Sequence, residues 1–325
     1  MYSDSALPLA ERALIARIRD IAGTRSRAVV KGIGDDCALL RIPAGQEALV
    51  TTDFTLEDVH FRLAWHPPAS VGHRCLARGL SDIAAMGGEP LAVFLSLAVP
   101  SKLPQKWVNQ FLKGLLSLAR RHGISLAGGD AAQSPAGVLA DIVVLGSAPK
   151  GTAIRRSGAH PGDAVYVSGE LGGAAAALML MMQKPGRQLN PRDYPRHFFP
   201  EPRLRLGRAV REKGLASAMI DLSDGLSTDL AHICEESGVG AELDAEAIPR
   251  AAIGKPPVKV GLHFGLHGGD DYELLFTVPN DKHVPHRIVG IPITRIGRIT
   301  RSRKMVLETK GIARELVPKG WEHFR

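Results

Sequence analysis

The chain has 325 residues, is 45% hydrophobic and 23% charged, and carries a formal net charge of +8. These proportions describe a globular chain with a substantial core and exclude disordered, fibrous and collagen-like classes. Aromatic residues make up only 5%, which argues against a stacking surface for single-stranded nucleic acid.

Taken in chain order, Ser5 is placed to cap a first helix with apolar positions at Leu9, Leu14, Ile18 and Ile21. "QEALVTTD" reads as a strand ending at Asp53. "SVGHRCLARGLSDIAAMGG" reads as a helix started by Ser70 and stopped by Gly87 and Gly88. "LAVFLSLAVP" is a strand closed by Pro100. "LPQKWVNQFLKGLLSLARRHG" is a helix with Pro104 in its first turn and Gly123 at its end, and Trp107, Phe111, Leu115 and Leu118 share its core face. "ISLAGGD" is a strand running into a glycine turn, and "VLADIVVLGSA" is another strand.

"PKGTAIRRSGAHPGDAV" is rich in Pro and Gly, so the domain boundary falls there, giving domains 1–149 and 150–325. The second half repeats the alternation: strand "AVYVSG", helix "GGAAAALMLMM", a proline-containing loop near 185–202, helix "RLRLGRAVREKG", strand "ASAMIDLS" and helix "GLSTDLAHICEESG". Strands "AELDA", "YELLFTVP" and "ITRIGRIT" follow. This order predicts an α/β or α+β architecture in two halves. Leu-Ser-Asp at 80–82 and again at 222–224, each time leading into a helix, hints at a shared plan.

Cys37, Cys75 and Cys234 lie far apart, with no zinc or disulfide spacing, and read as reduced thiols of a cytoplasmic protein. The charged N-terminus is a helix pattern rather than a signal peptide. The longest apolar run, 171–182, is shorter than the ~20 residues needed to cross a bilayer.

The chemistry lies in a recurring grammar. "GIGDDCALL" (32–40), "VTTDF" (50–54), "GLSDIAAMGG" (79–88), "LAGGDA" (126–131), "MIDLSDGLSTDLAHI" (219–233) and "HGGDDYELLF" (267–276) all set aspartates beside apolar runs, most of them with glycines. A carboxylate there is expensive to bury alone. A cation makes it tolerable: magnesium takes oxygen ligands and is held by a few carboxylates plus substrate phosphates. Glycine admits close approach of a phosphate, and turn N–H groups can face it. Any single Gly-Asp pair is also ordinary turn chemistry; six together point to a metal and phosphate site. The usual glycine-loop-and-lysine signature G-x-x-x-x-G-K-[ST] is missing, as "IGKPP" at 253–257 lacks its leading Gly and final Ser or Thr.

The ordered set "GIGDDCALL", "TTD…VHF", "LSDIAAMGG", "GGD", "RSGAHPGD", "IDLSDGL", "GGDDYELLFTVP" and "GWEHF" resembles the thiamine-monophosphate kinases, of the superfamily that includes aminoimidazole ribonucleotide synthetase. The resemblance runs from about residue 30 to the C-terminus. It implies an N-terminal α/β domain that pairs with a second subunit through its sheet, a C-terminal α/β domain, and an active site in the cleft between them. It also implies direct transfer of the γ-phosphoryl group of ATP to thiamine monophosphate.

Carried over by position, Asp36, Thr51, Thr52, Asp53, Asp82, Asp130, Asp221 and Asp224 would hold several magnesium ions, with Asp130, Asp221 and Asp224 the catalytic set. Gly129, Asp130, Arg156 and Ser223 would contact ATP. His60, Asp270 and Trp321 would contact thiamine monophosphate. Many relatives have Glu where Asp270 stands. Read alone, His60 is either a ligand contact or a surface histidine, and Trp321 either a stacking ring or a pin for the tail.

The implied partners are ATP, thiamine monophosphate and a second copy of the chain, with no nucleic acid and no membrane. The rivals are another ATP-dependent synthetase of the superfamily and, on charge alone, a nucleic-acid-binding protein.

Overall fold

The computed structural model describes residues 11–23, 26–34, 36–183 and 188–321. Ser5, Leu9, Asp35 and most of "GWEHF" lie outside them. The chain divides into two compact units: the described residues up to Ile83 with Glu89–Gly151, and Thr152 onward with the short segment Ala84–Gly88. The division between Gly151 and Thr152 falls in the Pro- and Gly-rich stretch.

The first unit is built on a four-stranded sheet in the order Gln46–Leu56, Leu139–Pro149, Glu89–Pro100, Ser125–Ser134. The first three strands pair antiparallel and the last pair is parallel. Alternation explains its core. Val93, Leu95, Leu97 and Val99 are buried from one strand, Ala140, Ile142 and Val144 from another. Helices Pro68–Ala85 and Gln105–Arg121 supply Leu76, Leu80, Ile83, Phe111, Leu115 and Leu118, all nearly inaccessible. Trp107 stacks between Phe61 and Phe111, with ring centroids 6.2 and 5.5 Å away.

The second unit carries an eight-stranded sheet. Its path runs Ile312–Glu315, Met305–Thr309, Gly240–Asp244, Ile291–Thr300, Ala164–Ser168, Leu274–Val278, Ala218–Asp221, with Arg287–Ile288 pairing to Ile291–Thr300. Only the Met305–Thr309 and Gly240–Asp244 pair is parallel. Val165, Val167, Ile220, Leu275, Ile296 and Ile299 meet Leu226, Leu230 and Ile233 of helix Leu226–Ser237 in one apolar cluster. That helix stops at Gly238, which adopts φ +67°.

Three local expectations shift. The strand expected to end in a turn at "GGD" continues to Ser134, so Asp130 is a mid-strand residue. The strand expected to end at Asp53 continues to Leu56, paired along its full length. The helix expected to start at Ser70 begins at Pro68, because proline is pre-set for the first turn; the Ser70 hydroxyl donates to the Pro67 carbonyl instead of capping. The hairpin Met305–Thr309/Ile312–Glu315 gave no sequence signal: it is short, and its second strand is exposed throughout.

Candidate functional site: one acidic group in each unit

In the first unit, register decides which side chains meet. Phe54, Asp141, Ser96 and Asp130 are cross-strand neighbours in a single row, and aligned residues share a face. Thr52 faces the same way and donates to Asp141 at 2.6 Å. Thr51 faces the other side and donates to Asp82 on helix Pro68–Ala85. The two hydroxyls thus have separate side-chain partners, because adjacent residues of a strand point to opposite faces. Asp141 was not singled out from sequence. Its signal was present: a carboxylate inside the otherwise apolar "VLADIVVL".

Asp36, Gly129 and Asp130 line one cavity of about 860 Å³, together with Cys37, Gly128 and Phe94. Two Gly-Asp motifs more than ninety residues apart in sequence thus meet. Gly129 holds φ +142°, and a side chain there would collide with the Leu95 carbonyl. The strand can carry only glycine at that point, which leaves bare backbone beside Asp130. Asp130 Oδ1 accepts the Ala131 N–H at 2.8 Å. His60 is half-buried, and its Nδ1 accepts the Leu56 N–H at 3.0 Å. That bond fixes the tautomer, placing the ring proton on Nε2 as a donor.

The second unit gathers its candidates around one loop. Asp221 ends a strand and is 3% exposed. Asp229 accepts N–H bonds from Gly225 at 2.9 Å and Asp224 at 3.2 Å, an acidic first-turn residue at a helix start. Burial, and then the charges of Asp221 and Asp224, push the Asp229 carboxyl well above the ordinary carboxylate range.

Segment 222–228 also anchors two others. Ser223 and Leu222 carbonyls accept the N–H groups of Asp270 at 2.8 Å and Tyr272 at 2.9 Å. The C-terminal tail runs along the same segment. Lys319 N–H donates to Ser227 Oγ at 3.3 Å, Gly320 N–H to Thr228 Oγ1 at 3.0 Å, and Trp321 N–H to the Asp224 carbonyl at 3.1 Å. Gly320 passes so close to the Asp224 carbonyl that a side chain there would clash.

Ser223, Asp224, Asp270 and Trp321 are thereby brought together through backbone bonds. Arg156 is exposed, and its neighbour Arg155 accepts the Met219 N–H at 3.0 Å, so Arg156 flanks the strand that Asp221 ends.

Beneath this loop lies a buried ionic network. Glu273, fully buried, accepts from Arg203 through both oxygens, from Ser168 Oγ at 2.5 Å, and sits 3.6 Å from Arg196. Asp271 accepts the Gly172 N–H at 2.6 Å through Oδ2, while its Oδ1 meets no donor. Burial, with the Glu273 charge adding to it and the Gly172 bond opposing, pushes Asp271 up to about 8.

The donors in both units are carboxylates and hydroxyls, the oxygen set suited to magnesium. Among the described residues no three His, Cys, Asp or Glu side chains close around a metal by themselves.

Residues 34–148 match the family model "AIR synthase related protein, N-terminal domain" and residues 160–322 the model "AIR synthase related protein, C-terminal domain". The thiamine-monophosphate kinase of Salmonella typhimurium is 38% identical over 97% of this chain and 98% of its own length. The thiamine-monophosphate kinase structure from Stenotrophomonas maltophilia superposes with a TM-score of 0.78 at 36% identity, covering 94% of this chain and 98% of that one. A structure described as AaThiL complexed with AMPPCP and TMP gives a TM-score of 0.76 at 30% identity, over 87% and 89%. The chain belongs to the thiamine-monophosphate kinase family, assembled from two AIR synthase-related domains.

Proposed function

We propose that the chain transfers the γ-phosphoryl group of ATP directly to thiamine monophosphate, giving thiamine diphosphate, and that the acidic groups of both units contribute. The observation that carries this reading is the near-full-length identity to thiamine-monophosphate kinases, supported by a similar structure named for its ATP analogue and TMP. Mixing the protein with ATP, magnesium and thiamine monophosphate should produce thiamine diphosphate, resolved by chromatography; ADP release without that product refutes the reading.

The mechanism we infer is positioning with electrostatic stabilisation. Asp36, Thr51, Thr52, Asp53, Asp82, Asp130, Asp221 and Asp224 are the residues that would hold magnesium, which when bound neutralises phosphate charge. Gly129 offers bare backbone beside Asp130 for the nucleotide phosphates, and Ser223 and Arg156 contact ATP, the guanidinium as a two-pronged donor. His60 presents Nε2–H to the acceptor phosphate. Asp270 and Trp321 hold the thiamine rings. No general base is needed, because the acceptor phosphate is already ionised at neutral pH.

We further infer a homodimer through the four-stranded sheet. Val50 and Phe54 on its outward face are 67% and 55% exposed, an apolar surface that pairing would cover. The cytoplasm is the inferred compartment, consistent with three free cysteines. Among the described residues no helix is long and apolar enough to cross a membrane.

A further inference from the structure

Two histidines stand together in the second unit and take no part in the acidic groups. Helix Leu262–His267 carries His263 and His267 four residues apart, a spacing that brings side chains to one helical face. Their ring centroids are 5.2 Å apart and the planes are inclined at 56°. Two imidazoles that share one tetrahedral zinc, each through a nitrogen at about 2.0–2.1 Å, stand about 5 Å apart between ring centres. The rings thus already have the separation of a chelating pair.

His263 is exposed and His267 half-buried. The buried partner is oriented from behind. His267 Nδ1 lies 2.8 Å from Ser227 Oγ. Ser227 is fully buried and also accepts the Lys319 N–H at 3.3 Å. With its proton on Nδ1 the ring donates to Ser227, and Nε2 keeps its lone pair. A hydrogen bond on the second ring nitrogen is the usual support of a metal-bound histidine. The end of the helix is seated as well, since a side chain at Gly225 would collide with the His267 backbone.

Electrostatics lean the same way. Burial, then the charges of His263 and Lys319, hold His267 below the usual imidazole range, which favours the neutral ring that binds metals. The Lys319 ammonium opposes a bound cation, but the residue is exposed and water and salt screen its charge.

We propose that His263 and His267 form a two-nitrogen site for a divalent transition metal of the zinc, copper and nickel class. Donor chemistry separates it from the carboxylates assigned to magnesium. Magnesium takes oxygen ligands, whereas imidazole suits zinc, copper and nickel. Two protein nitrogens leave the remaining positions to water, so the ion is exchangeable rather than a structural zinc, which takes four protein ligands. The site is independent of the phosphoryl-transfer reading and can be measured without turnover.

The test uses the untagged full-length chain, metal ions alone, and saturating magnesium to occupy the carboxylates. Copper(II) is read by electron paramagnetic resonance, and zinc by titration calorimetry. The copper spectrum should show hyperfine splitting from two imidazole nitrogens, and zinc should compete for the same site. His263→Ala, a change at an exposed position, should leave the melting temperature unchanged, reduce the nitrogen set to one and weaken zinc at that site more than about tenfold. Loss of a supporting bond alone costs about 10- to 100-fold. His267→Ala should weaken it to a similar degree. His283→Ala, at another exposed histidine, should change nothing. A spectrum with oxygen ligands only, zinc binding unaltered in His263→Ala, or an equal loss in His283→Ala would each show that the two rings are a surface pair, and the proposal would fall.

Discussion

The two units place their acids by opposite strategies. In the first, Asp36 and Asp130 are exposed, and Asp141 and Thr52 lie on a sheet face. Strand register fixes the spacing of Thr52, Asp141 and Asp130, and in the single chain Asp36 and Asp130 are open to water. In the second, Asp221, Asp229 and Glu273 are nearly or fully inaccessible, Asp271 is half-buried with Oδ1 covered, and their positions depend on a dense set of hydrogen bonds. Solvated acids are inexpensive to keep and can be altered with little effect on folding. Buried acids are pre-aimed at the expense of stability. The units should therefore respond differently to the same kind of substitution, and each of the following experiments tests that contrast.

Metal removal should have the largest effect. Excess EDTA is expected to abolish turnover and added magnesium to restore it, because the carboxylates and the substrate phosphates repel one another without cations. Full turnover in EDTA would end the account for both units at once. Next comes Asp130→Asn, which removes one charge from an exposed strand position. Turnover should fall about 10²- to 10³-fold, by analogy with loss of one electrostatic contact to a transition state. The melting temperature should stay nearly constant, since exposed substitutions usually shift stability by less than about 0.5 kcal/mol. A variant with near-native rate removes Asp130 from the chemistry; one that melts much earlier breaks the contrast.

Asp271→Asn sharpens the comparison from the buried side. The Asp271 carboxyl is raised to about 8 by burial, above its value in an unfolded chain. A group shifted upward favours the folded state at low pH, and that contribution is lost as pH rises from the ordinary carboxylate range through about 8. The carboxamide keeps an acceptor for the Gly172 N–H and carries no charge. The variant should therefore melt closest to the native protein at pH 5 and gain about 4 kcal/mol on it by pH 9, three pH units between pH 5 and about 8 at ~1.36 kcal/mol each. Parallel melting curves at both pH values would show that Asp271 is already neutral or well solvated.

The same contrast explains what could be read from the sequence. Periodicity located the main strands and helices because their apolar faces are regular; "VLADIVVLGSA" and "GLSTDLAHICEESG" needed no tertiary information. It failed where local rules were overridden. "LAGGDA" has turn composition yet continues as a strand, because the neighbouring Glu89–Pro100 strand supplies the pairing that glycine alone would not favour. The motif aspartates were legible as a set. Their grouping was not, since it depends on cross-strand register and on which face each residue takes. Hence the separate partners of Thr51 and Thr52, the place of Asp141 in the acidic row, and the Tyr272 to Asp270 hydrogen bond require coordinates.

The smallest effect is expected at Trp321, where the two strategies meet in one residue. Its backbone is built in: Lys319, Gly320 and Trp321 donate in succession to segment 224–228. Its side of the tail is open, the residue being 52% exposed. Tail pin and stacking ring are thus separate parts of the residue, and substitution can remove one without the other. Trp321→Ala keeps all three N–H bonds, so the melting temperature should hold. An indole face against a cationic thiazolium contributes about 0.5–2 kcal/mol, and each factor of ten in affinity corresponds to about 1.4 kcal/mol. KM for thiamine monophosphate should then rise roughly three- to thirtyfold, while KM for ATP moves little. Gly320→Ala supplies the counterpart, since it forces the tail off the Asp224 carbonyl and should disturb the Asp224 side as well. If Trp321→Ala instead lowers the melting temperature or raises both constants together, the ring is part of the pin and the exposed face is not where thiamine stacks.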